Sequence, residues 1–173
     1  IIGSTIQGVA NYRKGVDKEV AALVAEMSNG GINTLIMIET NPVYSIKGFD
    51  AALKKVKNSI YTGIKNNETA DICKFICPSH HALESWNDAE PKSYVYATCQ
   101  PTIAPLFDTR QYQETLLSWA GNQSNFYEYI RNFAKTNKAS YGAEYGSFDG
   151  FWDILIQNSE VTTTNTSAAS FNE

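Results

Sequence analysis

The sequence lacks several features that would place it in a functional class at once. No run approaches the roughly 18 apolar residues that cross a bilayer, and no basic-then-apolar leader precedes Ile1. The three cysteines are an odd number, which does not form a disulfide framework and fits reduced core thiols. The 14 Lys and Arg residues are scattered, and 18 Asp and Glu residues give a net charge of −4. We therefore expect no nucleic-acid partner and no direct membrane insertion.

Motifs of the common catalytic and cofactor-binding classes are also missing. The chain has no Gly-x-Ser-x-Gly nucleophile elbow, no P-loop and no Gly-x-Gly-x-x-Gly fingerprint. The four-cysteine spacing that holds iron–sulfur clusters is missing as well. We expect neither a catalytic residue nor a metal site within these 173 residues.

The first half of the chain alternates between strand and helix patterns. Apolar residues at helical spacing begin at Asp17 and end at Gly30-Gly31, and a second helical pattern follows Gly48. Continuous apolar runs predict strands, and these cover Ile1–Ile6, Thr34–Glu39, Ser59–Ile64 and, after a helical turn at Asn67–Ala70, Asp71–Cys77. This order predicts an α/β fold in layers, with a mostly parallel sheet whose two faces are covered by helices.

The second half is less regular. Residues 79–105 lose the alternation, apart from a peripheral strand predicted at Tyr94–Gln100. Asp108 with Gln111 resembles a capping box that opens a helix, and the spacing of Phe126, Ile130 and Phe133 predicts another. A last helix is expected at 148–156. We therefore predict one α/β domain at 1–156 and a polar tail or linker at 157–173, and the Met-less start and the polar end lead us to expect a piece of a longer protein.

Thr40, Asn41 and Pro42 directly follow the apolar strand at Thr34–Glu39. In open α/β sheets, ligands bind outside the carboxyl ends of the strands, where an Asn amide offers donors and an acceptor to a nucleobase edge or a pterin. Asn-Pro is also a common way to begin a turn. The sequence leaves both a ligand loop and a plain turn open.

His80, His81 and Glu84 follow the predicted strand that ends at Cys77, and they could reach the same crevice as Asn41. A His beside a carboxylate is suited to proton transfer, although the sequence alone favours two loop histidines bonded to the backbone. Cys73 and Cys77 stand near these histidines, but four residues apart on one strand they would lie about 13 Å apart, too far for one tetrahedral ion.

Four segments, taken together and in order, resemble a known family. They are LIMIETNPVYS (35–45), FDAALKKV (49–56), NNETADICKFICPSHHALESWNDAEPKS (66–93) and QPTIAPLFDTRQYQETLLSWAG (100–121). They look like the molybdopterin oxidoreductases of the formate dehydrogenase and DMSO reductase type. Within that family they resemble the large iron–sulfur subunit of bacterial alternative complex III, a quinol:cytochrome c oxidoreductase.

The resemblance implies an excised domain of a respiratory subunit at the periplasmic face of the bacterial inner membrane. Its partners would be the remaining domains of the same polypeptide and the membrane and cytochrome subunits. In active relatives the matching domain helps to hold molybdopterin guanine dinucleotide, and Asn41-Pro42 matches the loop that does so. The alternative complex III subunit resembles a degenerate enzyme that has lost this cofactor and keeps iron–sulfur clusters in another domain. The resemblance thus implies a scaffold without a cofactor, and leaves open a cofactor-holding domain of an active enzyme. Without the resemblance, a further hypothesis is a free-standing α/β nucleotide-binding module with Thr40, Asn41, His80 and His81 around the crevice.

Overall fold

A computed structural model describes residues 17–92, 95–137 and 144–162. Contacts within these residues divide them between two compact units. One unit, which we call the sheet unit, contains the described residues of 17–84 and 103–123. The other contains those of 85–102 and 124–162. Whether the two units form the single domain that the sequence predicts stays a prediction.

The sheet unit is an α/β structure built on three parallel strands in the order β1-β2-β3. Its elements in chain order are α1 (Asp17–Ser28), β1 (Thr34–Ile38), α2 (Pro42–Ser45), α3 (Phe49–Leu53), β2 (Asn58–Gly63), α4 (Glu68–Ile72), β3 (Phe75–Pro78), one 3-10 turn (Ala82–Glu84) and, after the chain returns, α5 (Tyr112–Trp119). The parallel register pairs Met37 with Tyr61, and Tyr61 with Ile76. This confirms the predicted mixed α/β class with a parallel sheet and helices.

The core of the sheet unit lies on the face of the sheet that carries Met37 and Tyr61. These two side chains are 5% and 3% exposed, and Met27 of α1 and Leu53 of α3 close over them. Helix α3 can make this contact because Gly48 at its start has a φ of 80°, a left-handed conformation that glycine adopts without steric cost. Burial of these apolar groups is the main stabilising term for the unit.

The opposite face of the sheet is more open than the continuous apolar runs predict. Ile36, Ile60 and Phe75 pair across the three strands and therefore project to that face together. Ile36 is 37% exposed and Phe75 is 54% exposed. Among the described residues, helical cover on both faces is therefore not seen.

Several element boundaries differ from those predicted, for identifiable reasons. The third strand begins at Phe75 rather than Asp71, because the Asn67 side chain accepts the Ala70 N–H at 2.9 Å and caps a helix that runs to Ile72. The predicted Asp108–Gln111 capping box is wrong, since Gln111 is itself the residue before α5 and makes no side-chain cap bond. The predicted strand at Ile1–Ile6 lies outside the described residues.

The second unit contains an antiparallel sheet in the order β4-β5-β6, and two helices. The strands are β4 (Asn87–Lys92), β5 (Val95–Cys99) and β6 (Glu160–Thr162), and the helices are α6 (Phe126–Asn137) and α7 (Phe148–Asn158). Only β5 matches a predicted strand. Residues expected in the polar tail from 157 include parts of regular elements, since α7 runs to Asn158 and Val161 of β6 pairs with Tyr96. Residues 163–173 lie outside the described residues.

Side-chain packing in this unit is largely aromatic. Tyr127 of α6 meets Trp152 of α7 with ring centroids 5.9 Å apart, and the Arg131 guanidinium lies 5.3 Å from the centre of the Phe148 ring. The buried face of α6 is formed by Phe126, Ile130 and Ala134, whereas Phe133, which was expected there, is 38% exposed. None of the described helices combines the length and apolar character needed to cross a membrane.

We predict that Leu53→Ala lowers the free energy of unfolding by about 3 kcal/mol, because it leaves a cavity in a core position that is 1% exposed. Leu83→Ala is the matched control, since Leu83 is 50% exposed in the same unit, and its cost should stay within about 0.5 kcal/mol. Urea unfolding followed by circular dichroism measures both. Equal costs would contradict the placement of the core.

Candidate functional site

The carboxyl ends of the three parallel strands lie along one edge of the sheet, and three loops leave from it. Residues 39–41 follow β1, residues 64–67 follow β2 and residues 79–81 follow β3. Of the six residues predicted from the sequence to bind a cofactor, four lie in the first or the third of these exits, and Pro42 and Glu84 lie in the short helical elements that follow them. They occupy the place in the fold where open α/β sheets bind ligands.

The exit from β1 is a sharp turn. Glu39 has a φ of 48°, which is uncommon for a residue with a side chain, and its N–H donates to the Thr62 carbonyl at 2.9 Å. Pro42 is buried and occupies the start of α2, where a missing N–H costs nothing. Thr40 is exposed between them. Asn41 and Pro42 thus lie directly beyond a strand end, as the sequence predicts.

The Asn41 side chain connects this exit to the start of α4. Its Oδ1 accepts hydrogen bonds from the Thr69 hydroxyl at 2.8 Å and the Thr69 N–H at 3.3 Å, and its Nδ2 donates to Glu68 Oε2 at 2.6 Å. The Thr69 hydroxyl in turn accepts the Val43 N–H at 3.1 Å. The Asn41 amide lowers the pKa of the Glu68 carboxyl. Because Thr69 is fully buried, the oxygen of the Asn41 amide binds groups inside the fold, while its nitrogen binds the exposed Glu68.

The exit from β2 is held by the core. The buried Tyr61 hydroxyl donates to the Lys65 carbonyl at 3.2 Å and accepts a bond from Asn67 Nδ2 at 2.9 Å. A Cβ on Gly63 would lie 2.5 Å from the same hydroxyl, so only glycine fits there while Tyr61 keeps its position. Burial is the main cause that raises the pKa of Tyr61. The hydroxyl thus fixes the backbone around Lys65.

At the exit from β3, both histidines are bonded to backbone atoms. His80 Nε2 lies 3.0 Å from the Thr109 carbonyl, so this nitrogen carries a proton and donates it. His81 Nδ1 accepts the Leu83 N–H at 3.1 Å. This geometry agrees with the structural interpretation of the pair that the sequence left open.

Glu84 joins the exit from β3 to a distant part of the chain. Its Oε2 accepts the His81 N–H at 2.8 Å, and its Oε1 accepts the Leu106 N–H at 3.0 Å. These two N–H groups, the one from His81 foremost, lower the pKa of the Glu84 carboxyl. Both oxygens of the carboxylate are therefore engaged in holding loops, which makes Glu84 a poor general base.

A cavity of about 590 Å³ lies between the exits from β2 and β3 and the returning loop at 103–109. Its lining comprises Gly63, Ile64, Lys65, Pro78, Ser79, His81, Glu84, Ile103, Leu106, Phe107 and Thr109. All of these residues belong to the sheet unit. The volume falls within the range of about 300 to 1,000 Å³ that is usual for small-molecule sites.

Only some of the six residues predicted to bind a cofactor line this cavity. His81 and Glu84 line it, whereas Thr40, Asn41, Pro42 and His80 do not. Whether any of the six binds a cofactor stays a prediction.

The returning loop at 103–109 was not identified from the sequence as part of a site, because its start was assigned to an irregular region without helix or strand patterns. The available signal was the apolar pair Leu106-Phe107 within a proline-containing stretch, where polar residues are usual.

The cysteines do not share a strand, contrary to the sequence argument. Cys73 is the C-cap residue that directly follows α4, while Cys77 lies within β3. Burial raises the pKa of the Cys73 thiol, which favours its inert, protonated form. In the part of the chain that the structure describes, no group of three or more His, Cys, Asp or Glu side chains is arranged to hold a metal ion.

We predict that Asn41→Ala lowers the free energy of unfolding by about 1 to 3 kcal/mol, because the buried Thr69 hydroxyl and N–H lose their shared acceptor. Asn29→Ala, which truncates an exposed Asn of the same unit, is the control and should change stability by less than about 0.5 kcal/mol. Urea denaturation of both variants provides the comparison. A neutral Asn41→Ala would contradict a structural role for this amide.

We predict that the bond between Glu84 and Leu106 persists at pH values where an ordinary glutamate is half protonated. The folded pKa is depressed, so the stabilising contribution is present above the unfolded value of about 4.3 and is lost as the pH falls through the lower folded value. An NMR titration of the Leu106 amide measures this midpoint. Glu84→Gln should abolish the transition, and a midpoint at or above the ordinary glutamate value would contradict the assignment.

Comparison of the chain with known proteins finds no matching protein-family model. Comparison with curated proteins likewise finds no match. The resemblance of the four sequence segments to molybdopterin oxidoreductases therefore stays a prediction based on those residues.

Proposed function

We propose that this chain is a non-catalytic structural domain of a molybdopterin-oxidoreductase-like subunit in a respiratory quinol:electron-acceptor oxidoreductase complex. Its partners are the remaining domains of the same polypeptide and, through them, membrane and cytochrome subunits at the periplasmic face. The domain holds no cofactor in this role. It supports neighbouring domains that do the chemistry.

The observation that carries this proposal is the use of Asn41 within the fold. A guanine or pterin edge is recognised by a side-chain amide through a donor and an acceptor held side by side. Here the acceptor oxygen binds Thr69 twice and the amide nitrogen binds Glu68. A ligand that claimed these atoms would leave the buried Thr69 groups without a partner, at a cost of about 1 to 3 kcal/mol. The amide is thus poorly suited to hold a dinucleotide.

The other polar residues at this edge support the same role. His80 is engaged by the Thr109 carbonyl, and Glu84 is engaged by two backbone N–H groups. Such bonds join loops that are far apart in the sequence and stiffen the edge of the sheet. Residues that hold the fold in this way are suited to a scaffold, because they keep a surface in one shape for its neighbours.

Two alternatives remain. One is a cofactor-holding domain of an active enzyme that depends on molybdopterin dinucleotide. The other is a free-standing α/β nucleotide-binding module, and the cavity of about 590 Å³ at the strand ends is the observation that favours it. Either one requires a nucleotide to bind at this edge, whereas the scaffold does not.

We predict that titration of the chain with guanosine diphosphate in a calorimeter gives no binding heat up to millimolar nucleotide. A competent nucleotide module should bind at micromolar concentration, which corresponds to about −8 kcal/mol. Binding in that range would overturn the scaffold proposal. Loss of the binding in Asn41→Ala would then place the nucleotide at the exit from β1.

A second measurement separates the scaffold from an active enzyme. The parent subunit, purified from its native membrane complex, should contain less than stoichiometric molybdenum by elemental analysis and no pterin fluorescence after extraction. Stoichiometric molybdenum would favour the cofactor-holding alternative. Iron in the same sample serves as the internal control, because the family resemblance places iron–sulfur clusters in another domain of that subunit.

A further inference from the structure

The cavity between the exits from β2 and β3 has a wall that is fixed in place. Backbone N–H groups of the returning loop and the start of α5 donate to the end of β3 and to the segment that follows it. The bonds run from Ile103 to the Leu83 carbonyl at 3.1 Å, from Leu106 to Glu84 Oε1 at 3.0 Å, from Arg110 to the Pro78 carbonyl at 3.3 Å and from Tyr112 to Ser79 Oγ at 3.2 Å. A wall held along its whole length needs little ordering when a ligand enters, and this lowers the cost of binding.

Large apolar side chains surround the cavity and remain open to solvent. Leu106 and Phe107 are 71% and 77% exposed, and Ile64 and Ile103 are 45% and 42% exposed. Single exposed apolar residues are ordinary, but four around one cavity form a patch of the kind that marks a binding site. None of the four belongs to the buried core cluster of the sheet unit. The patch suits the apolar body of a ligand.

Two polar groups at the same cavity have unused donor capacity. Ser79 is 6% exposed, and its oxygen accepts the Tyr112 N–H, but among the described residues its own hydroxyl proton has no acceptor. The Lys65 ammonium has no hydrogen-bond or ion-pair partner within the described part of the chain. A buried hydroxyl and a cation together favour an acceptor that carries negative charge.

The charge balance of the lining limits how much negative charge a ligand can bring. Glu84 contributes a carboxylate to the cavity, and its low pKa keeps it ionised near neutral pH. The N–H groups of His81 and Leu106, which could have held a phosphate, already bind this carboxylate. The Glu84 carboxylate would repel a polyphosphate, and the two N–H groups that it binds would not be available to offset this repulsion. One negative charge, placed at the Lys65 side, is the better fit.

We propose that this cavity binds a small monocarboxylate with an apolar body. The carboxylate lies between the Lys65 ammonium and the Ser79 hydroxyl, and the apolar body packs against Leu106 and Phe107. This site goes beyond the scaffold role and does not depend on it, because the residues that carry the proposal take no part in the Asn41 network.

The test uses 2-naphthoate as the probe and neutral 2-naphthamide as its matched partner of the same shape. By NMR titration or calorimetry the chain should bind 2-naphthoate with a Kd of about 100 μM, as expected for a ligand of this size. The amide should bind about tenfold more weakly, because it lacks the charge that meets Lys65. These affinities are separate from the guanosine diphosphate titration, so either proposal can fail alone.

Variants locate the probe. Lys65→Met should weaken 2-naphthoate binding about tenfold and leave 2-naphthamide unchanged, while Lys65→Arg should retain most of the affinity. Phe107→Ala should weaken both probes, and Lys47→Met, which removes an exposed lysine outside the cavity lining, should change neither. Near-ultraviolet circular dichroism verifies that each variant is folded.

Three results would overturn the proposal. The first is that 2-naphthoate does not bind at 5 mM, which is about fifty times the expected Kd. The second is that the chain binds the carboxylate and the amide with equal affinity. The third is that Lys65→Met and Lys47→Met change 2-naphthoate binding to the same extent. Equal affinity for the two probes would leave an apolar cavity that does not select for charge.

Discussion

The parallel register of β1, β2 and β3 is the constraint on which the rest of the sheet unit depends. All three strands run in one direction, with Met37, Tyr61 and Ile76 side by side, so the loops that follow them leave from one edge. The same register places Met37 and Tyr61 beneath α1 and α3, so the contact that stabilises the core also fixes where each loop begins. An antiparallel pairing of these strands would send alternate loops to opposite ends of the sheet and would separate Asn41, Lys65 and Glu84.

Along that edge, polar groups follow two different patterns. At the exit from β1, Asn41, Thr69 and Glu68 bind one another and leave their amide and hydroxyl groups satisfied. At the exits from β2 and β3, Glu84 binds the backbone of the returning loop and thereby shapes a cavity whose lining includes the polar side chains of Lys65 and Ser79.

The sequence predicted the elements whose signal is local and missed those that depend on distant pairing. The runs around Met37 and Tyr61 gave correct strands, and the position of Asn41 and Pro42 at a strand end followed from them. Strand β4 includes Pro91 and four polar or charged residues, so it has no apolar alternation, and only its pairing with β5 makes it a strand. The role of Glu84 was also hidden, since its partner Leu106 is 22 residues away. Neither propensity nor spacing encodes that contact.

Tyr61 shows how the core sets the chemistry of the cavity. Its ring is buried between the sheet and the helices, so its hydroxyl has one position, from which it donates to the Lys65 carbonyl and accepts from Asn67. That position also explains Gly63, because any Cβ there would collide with the same oxygen. The backbone that carries Lys65 is therefore tied to the core through this hydroxyl, although the Lys65 side chain is exposed. Burial of the Tyr61 ring thus determines both the residue type at position 63 and the course of the backbone that leads to Lys65, at the edge of the proposed carboxylate site.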